Sequence, residues 1–258
     1  MSARALACFT FDNMGEAADV GAGLLSGPRP AGTDPSLAEG YPRLYDVLAA
    51  TGVRATFFVE GWNGVHHPDA VAEIVRRGHE LGMHGWTHEA WGRLAADDEA
   101  TLATRATEAL TAAAGVRPVG FRAPGGMRTS ATETILRRLG YHYDASLGDG
   151  MRAQVLASGL AQVPFVWAGV DGLYYLRPDA AHPADVRTRW LAALEDVAAR
   201  GGLFLTVCHA FITGVDRGRT AVLRDVMEAA LADPRVTVCT TGGVAHELLA
   251  RGASAAAQ

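Results

Sequence analysis

Apolar positions along this chain follow two rhythms. Short β-branched and aromatic runs at residues 6–11, 55–59, 81–84, 118–122, 141–144, 161–165, 203–208 and 236–240 read as strands. Between them, at 41–50, 68–77, 97–114, 130–139, 183–199, 218–232 and 243–250, apolar residues recur with the period of an amphipathic helix. Several of these helical runs open on Pro, Ser, Thr or Asp, and glycines such as Gly52, Gly78, Gly115, Gly140 and Gly201 close them. Strands regularly separated by helices predict an α/β fold with a parallel sheet covered by helices. The number of units favours a closed or nearly closed (β/α) barrel over an open doubly wound sheet. Residues 21–42 follow neither rhythm and are rich in Gly and Pro. Coming directly after the first strand, they are expected on the carboxyl rim as a lid or disordered loop. No repeat or linker divides the chain, so residues 1–252 read as one domain and the Ala-rich stretch 253–258 as a disordered tail.

Composition narrows the function classes. Of 258 residues, 49% are hydrophobic and 20% charged, which is ordinary globular usage with ample material for a core. Twenty-three Lys and Arg against 28 Asp and Glu leave a formal charge of −5, so no basic field invites nucleic acid. Cys8, Cys208 and Cys239 each fall in an apolar run and read as small core residues in a reducing compartment, not as a disulfide framework. The amino-terminal residues lack a long apolar segment with a cleavage site, and no run reaches the ~18 apolar residues of a membrane span. A cytoplasmic protein without a membrane partner is expected.

Polar residues cluster where strands end. Asp12, Asn13 and Glu16 follow the first strand, His84 and His88 the third, Arg122 the fourth and His209 the seventh. In a barrel these ends share one face, so residues far apart in sequence can meet on one substrate. His84 and His88 have a spacing that lets two imidazoles bind one metal ion, and a plain surface loop capped by Thr87 has it too. Asp12 emerges from an apolar strand, as a general base or as a cap on the next turn. Arg122, between an aromatic and a Pro-Gly-Gly turn, is held in one geometry, for a site or for a structural ion pair. His209 ends an apolar strand and needs a partner whether it is catalytic or simply a satisfied core residue. His66 and His67 precede Pro68 at a helix start and read as structural.

In order, Thr10-Phe11-Asp12-Asn13, His84-x-x-x-His88, Phe121-Arg122-Ala123-Pro124-Gly125, Tyr143-Asp144-Ala145-Ser146 and Thr206-Val207-Cys208-His209 resemble the motifs of the NodB-homology polysaccharide deacetylases, carbohydrate esterase family 4. The resemblance spans nearly the whole chain. It implies a distorted (β/α) barrel and metal-assisted hydrolysis of an N-acyl amide. It puts Asp12 at the catalytic base, His84 and His88 at metal ligands, Arg122 at the residue orienting the base, His209 at the general acid, and Asp144 near the acidic group tuning that acid. The family's usual Asp-Asp pair is Asp12-Asn13 here, so a neutral amide occupies the third, anionic ligand position, which weakens a Zn²⁺ site by about 10–100-fold or more. Three options stay open: Asn13 still ligates a divalent metal such as zinc, Glu16 reaches in, or the site works without metal. Residues 12–16, 164–167, 173–175 and 209–214 also resemble the cytosolic, allantoinase-like branch, which hydrolyses cyclic amides and tends to form homo-oligomers. By that resemblance Glu16, Trp86, Pro124 and Trp167 contact the substrate. The implied activity is N-deacetylation of a small, amino-sugar-like molecule. The alternatives are a metal-independent cyclic amide or imide hydrolase and a non-catalytic carbohydrate-binding descendant.

Overall fold

Side chains of the first strand, β1 (Ala5–Asp12), sort by parity: Ala5, Ala7, Phe9 and Phe11 pack under the helices, while Leu6 and Cys8 join the opposite face with Phe58 and Leu205. The computed structural model describes residues 4–148 and 152–256. β1 lies next to the end of the strand path and has three partners. It pairs in parallel with β8 (Gly202–His209) along its whole length, with β2 (Thr56–Val59) at its carboxyl half and with β9 (Val236–Val238) at its amino half. Beyond β2 the sheet continues in parallel through β3 (Glu80–Met83), β4 (Gly120–Phe121), β5 (Tyr143–Asp144) and β7 (Ala161–Gln162). A short antiparallel strand that the sequence pattern misses, β6 (Gln154–Val155), ends it. Isolated parallel bridges Leu147–Phe165 and Val170–Val207 carry the chain after β7 back to β8, so the curled sheet almost closes. This is the expected distorted (β/α) barrel.

Helices cover the outside. The longer ones, α2 (Tyr41–Thr51), α4 (Pro68–Arg76), α5 (Ala96–Ala114), α6 (Thr132–Arg138), α8 (Pro183–Arg200), α9 (Arg217–Ala232) and α10 (Thr241–Ala256), follow the predicted periodicity. Those short of two turns, α1 (Ala17–Gly21), α3 (Gly61–His66) and α7 (Asp171–Tyr175), hold too few residues to show a period. Gly52 and Gly115 end α2 and α5 with φ of 73° and 70°, the left-handed conformation that a side chain resists. The last helix runs on to Ala256, past the boundary expected at Gly252, so the tail is helical that far; residues 257–258 lie outside the described part.

The expected lid takes a different place. Residues 21–42 wedge between rim loops: Gly21 packs on Thr87, and a Cβ on Gly40 would come 2.5 Å from the Ala210 carbonyl oxygen. None of these residues lines the cavity at the strand ends. Cys8 and Cys208 are buried, Cys239 is half-buried, and all three are free. Among the described residues no helix is long and apolar enough to cross a membrane.

Phe57 on β2 is fully buried and stacks on Phe11 at 4.8 Å between ring centres. Phe57→Ala should destabilise the fold by about 3–5 kcal/mol, read as a lower urea midpoint at unchanged slope; a loss below about 1 kcal/mol would show that this layer is not the core.

Candidate active site

Strand parity assembles the site. On β8, Leu203, Leu205 and Val207 face the barrel interior, and His209 is next in that row. On β1 the same row ends at Asp12, and Asp12 and His209 are register partners on neighbouring strands. Met83 and Phe121 pack under the helices, so His84 and Arg122, each one residue on, turn inward. Asp12, His84, His88 and His209 line a cavity of about 530 Å³, and Arg122 lies fully buried beside Asp12.

The Arg122 guanidinium is the main charge partner of Asp12. Its Nη1 donates to Asp12 Oδ1 at 2.6 Å and to Thr10 Oγ1 at 2.7 Å, and its Nε donates to the Ala145 carbonyl at 2.9 Å. Its plane lies over the Phe58 ring at 4.2 Å. Burial acts to protonate Asp12, but Arg122, with His84 and His209, outweighs it and holds the carboxyl below its ordinary range.

His84 Nδ1 lies 2.8 Å from the Arg122 carbonyl oxygen, which can only accept, so Nδ1 carries the proton. Its Nε2 is therefore a free lone pair, 3.9 Å from Asp12 Oδ2. Burial pushes the His84 pKa down to about 3 and lowers that of His88, so both rings are neutral at pH 7. The rings are 5.1 Å apart, and His88 has a φ of 68°, a conformation few non-glycine residues adopt. A carboxylate that sequence reasoning did not single out shapes this turn: Glu89 accepts from the Trp86 and Thr87 amides at 2.9 and 2.8 Å.

Asp171, not Asp144, is the acidic partner of His209. Its Oδ1 lies 2.6 Å from His209 Nδ1, while its Oδ2 accepts from the His209 amide at 2.8 Å and from Thr213 Oγ1 at 2.7 Å. Burial disfavours an imidazolium here, yet Asp171 outweighs it and the His209 pKa lies above the ordinary value. Asp144 instead accepts from Ser146 at 2.6 Å and pairs with Arg128 at 3.1 Å, away from the cavity lining. The pattern hides Asp171 because the apolar residues before it form no regular strand: β7 ends at Gln162, a 3-10 turn spans Trp167–Gly169, and the chain pairs with β8 through the isolated Val170–Val207 bridge.

Three expected substrate contacts fall elsewhere. Glu16 is buried, accepts the Arg29 amide at 2.6 Å and lies 3.3 Å from His67, so it anchors the 21–42 segment. Trp86 is buried with Arg105 stacked 3.6 Å from its ring centre, outside the lining. Pro124 packs toward Gly85, while its neighbours Ala123, Gly125 and Gly126 line the cavity. Trp167 does line it. Glu60, which the pattern did not single out, is wholly buried. It accepts from the Met14 amide at 3.1 Å and from Asn63 at 3.0 Å, and burial lifts its pKa to about 8, leaving it mostly protonated.

The donor set falls short of a zinc site. Among the described residues no group of three or more His, Cys, Asp or Glu is arranged to hold a metal ion. His84 and His88 offer two imidazoles, Asp12 is engaged by Arg122, and Asn13, with a φ of 64° and its carbonyl bonded to Tyr41 Oη at 3.2 Å, offers only an amide. No catalytic step is therefore routed through a metal.

Two measurements test this geometry. Asp171→Asn removes the charge that holds the His209 proton while burial remains, so the His209 imidazole should titrate at lower pH than in the wild type when followed by NMR; an unmoved titration would assign the shift to another group. Asn13→Asp keeps a residue type that tolerates positive φ and puts a carboxylate at the position that the ordered motifs give to an anionic ligand. Zn²⁺ affinity measured by calorimetry should rise by about 10–100-fold.

Comparison with known proteins gives the family. The family description "polysaccharide deacetylase" matches residues 7–143, more than half of the chain. A chitin deacetylase of Pestalotiopsis sp is 32% identical over 102 residues, 38% of this chain and 34% of that one. The chain spans about a third of the length of the curated relatives it matches. A protein of Mycobacterium smegmatis assigned to the polysaccharide deacetylases superposes with a TM-score of 0.88 at 32% identity, over 96% of this chain and 92% of that one. The fold is also that of the Puue allantoinase, with a TM-score of 0.80 at 18% identity over 96% and 91% of the two chains. On the family match, the ordered motifs and the near-complete superposition, this chain belongs to the polysaccharide deacetylase family.

Proposed function

We propose that the chain is an amide hydrolase that removes the acyl group, acetyl in the simplest case, from a small amino-sugar-like compound. One observation carries this reading: two groups on the same cavity wall are pushed in opposite directions, Asp12 toward its ionised form by Arg122 and His209 toward its protonated form by Asp171. At one pH the first is a base and the second an acid. A water donating to Asp12 Oδ2 and His84 Nε2, which are 3.9 Å apart, is aimed at an acyl carbon in the cavity. Asp12 takes one proton as the oxygen adds to the carbonyl. His209 then gives its proton to the amide nitrogen as the C–N bond breaks, releasing a carboxylic acid and a free amine, and solvent restores both side chains. The activities named for the curated relatives, chitin and peptidoglycan deacetylation, support the same bond as the target. A cytoplasmic setting, which the three free thiols suit, directs the reading to small molecules and away from wall polymer.

The pH profile follows from the signs. Activity should rise as pH climbs through the Asp12 pKa, below the usual carboxylate value, and fall as pH climbs through the His209 pKa, above the usual imidazole value. His209→Asn should lower kcat by about 10²–10⁴-fold and remove the alkaline limb. Release of free amine from N-acetylglucosamine, compared with ring opening of a cyclic imide, is the direct assay. Turnover of the imide alone would overturn the deacylation reading.

A further inference from the structure

The cavity is larger and more apolar than an acetyl group requires. Beyond its polar end, its walls within about 530 Å³ are Phe165, Trp167, Val170, Leu173, Leu176 and Val207. Phe165 and Trp167 meet edge to face, 5.6 Å apart at 89°, which makes that wall rigid. Leu173 and Leu176 are three residues apart on one helical turn, with the Leu176 amide bonded to the Gly172 carbonyl at 3.2 Å, so they share a face. That turn starts at Asp171, the residue that holds His209, so the apolar face is fixed relative to the acid. Trp167 and Leu176 remain 48% and 65% exposed. Large apolar side chains left open at a cavity mouth mark a ligand surface.

The wall also decides which part of a substrate it can take. Apart from Asp12 and the three histidines, Arg177 is the one charged side chain among the described lining residues. Sugar hydroxyls pressed against this wall would lose water without gaining partners, a cost that an alkyl chain does not incur. We propose, on the amide-hydrolase reading above, that this wall is an acyl-chain subsite and that the enzyme prefers N-acyl groups of butanoyl to hexanoyl length over acetyl. The polar amine part of the substrate then lies away from this wall, in solvent. Trp167 and Leu176 are the specificity-determining side chains.

The test is kcat/KM for release of glucosamine from its N-acetyl, N-butanoyl and N-hexanoyl derivatives by the purified protein. Each added methylene should raise it by about two- to fourfold, at least about tenfold from acetyl to hexanoyl. Leu176→Asn, at an exposed position that the fold tolerates, and Trp167→Ala should each cut the hexanoyl-to-acetyl ratio by at least about threefold. A flat or falling series with acetyl still hydrolysed overturns the subsite and leaves the deacylation reading standing. A rising series whose slope neither variant changes overturns the wall assignment. Ring opening of a cyclic imide with no turnover of any N-acyl compound shows that the deacylation reading itself has failed, and the subsite falls with it.

Discussion

A buried guanidinium organises the carboxyl end of the sheet. Arg122 has no exposure to solvent, and a charge taken from water at such a depth costs several kcal/mol unless a partner and hydrogen bonds meet it. Asp12 supplies the opposite charge at 2.6 Å, Thr10 and the Ala145 carbonyl accept further N–H groups, and Phe58 lies under the plane. The carboxylate that offsets this charge is thereby kept ionised. The backbone of the same residue sets a second state: its carbonyl accepts from His84 Nδ1, leaving Nε2 unprotonated toward Asp12. One residue therefore fixes both the charge of the base and the tautomer of the imidazole facing it.

The acid is held by a separate device. His209 and Asp12 are register partners on paired parallel strands, so their spacing belongs to the backbone ladder and not to flexible side chains. The charge on His209 depends on Asp171, which reaches it from the far side of the gap in the barrel, where the chain after β7 returns to β8. Closure of the curled sheet thus completes the site: the Val170–Val207 bridge and the bonds of Asp171 to His209 and Thr213 together fix the acid and the start of the apolar wall.

Behind the base lies a neutralised layer. Burial leaves Glu60 largely protonated at pH 7, so it supports the turn at Asn13 and Met14 without adding a negative charge beside Asp12. Glu16 spends its oxygens on Arg29 and His67, tying down the 21–42 segment. With an amide at Asn13 as well, the surroundings of Asp12 are poorer in free carboxylate than the run of acidic residues suggests. This is why the two neutral imidazoles lack a third ligand of negative charge.

Local periodicity was enough to read the parallel sheet, the long helices and the strand-end placing of Asp12, His84, His88, Arg122 and His209, because burial on a repeating element imprints itself on neighbouring residues. The ordered motifs were likewise sufficient for the family. Contacts between distant segments leave no such imprint. Asp171, not Asp144, partners His209 because an isolated bridge, too short to show a period, brings it there. Glu16, Trp86 and Pro124 stand in rim segments but turn away from the cavity, since which side of a loop faces a site is set by what packs against it: Arg29 and His67, Arg105, and Gly85. The sequence by itself determined the barrel and the polar ends of its strands. Only the tertiary structure decided which carboxylate holds the acid and how apolar the cavity is, because both depend on the path by which the chain closes the sheet.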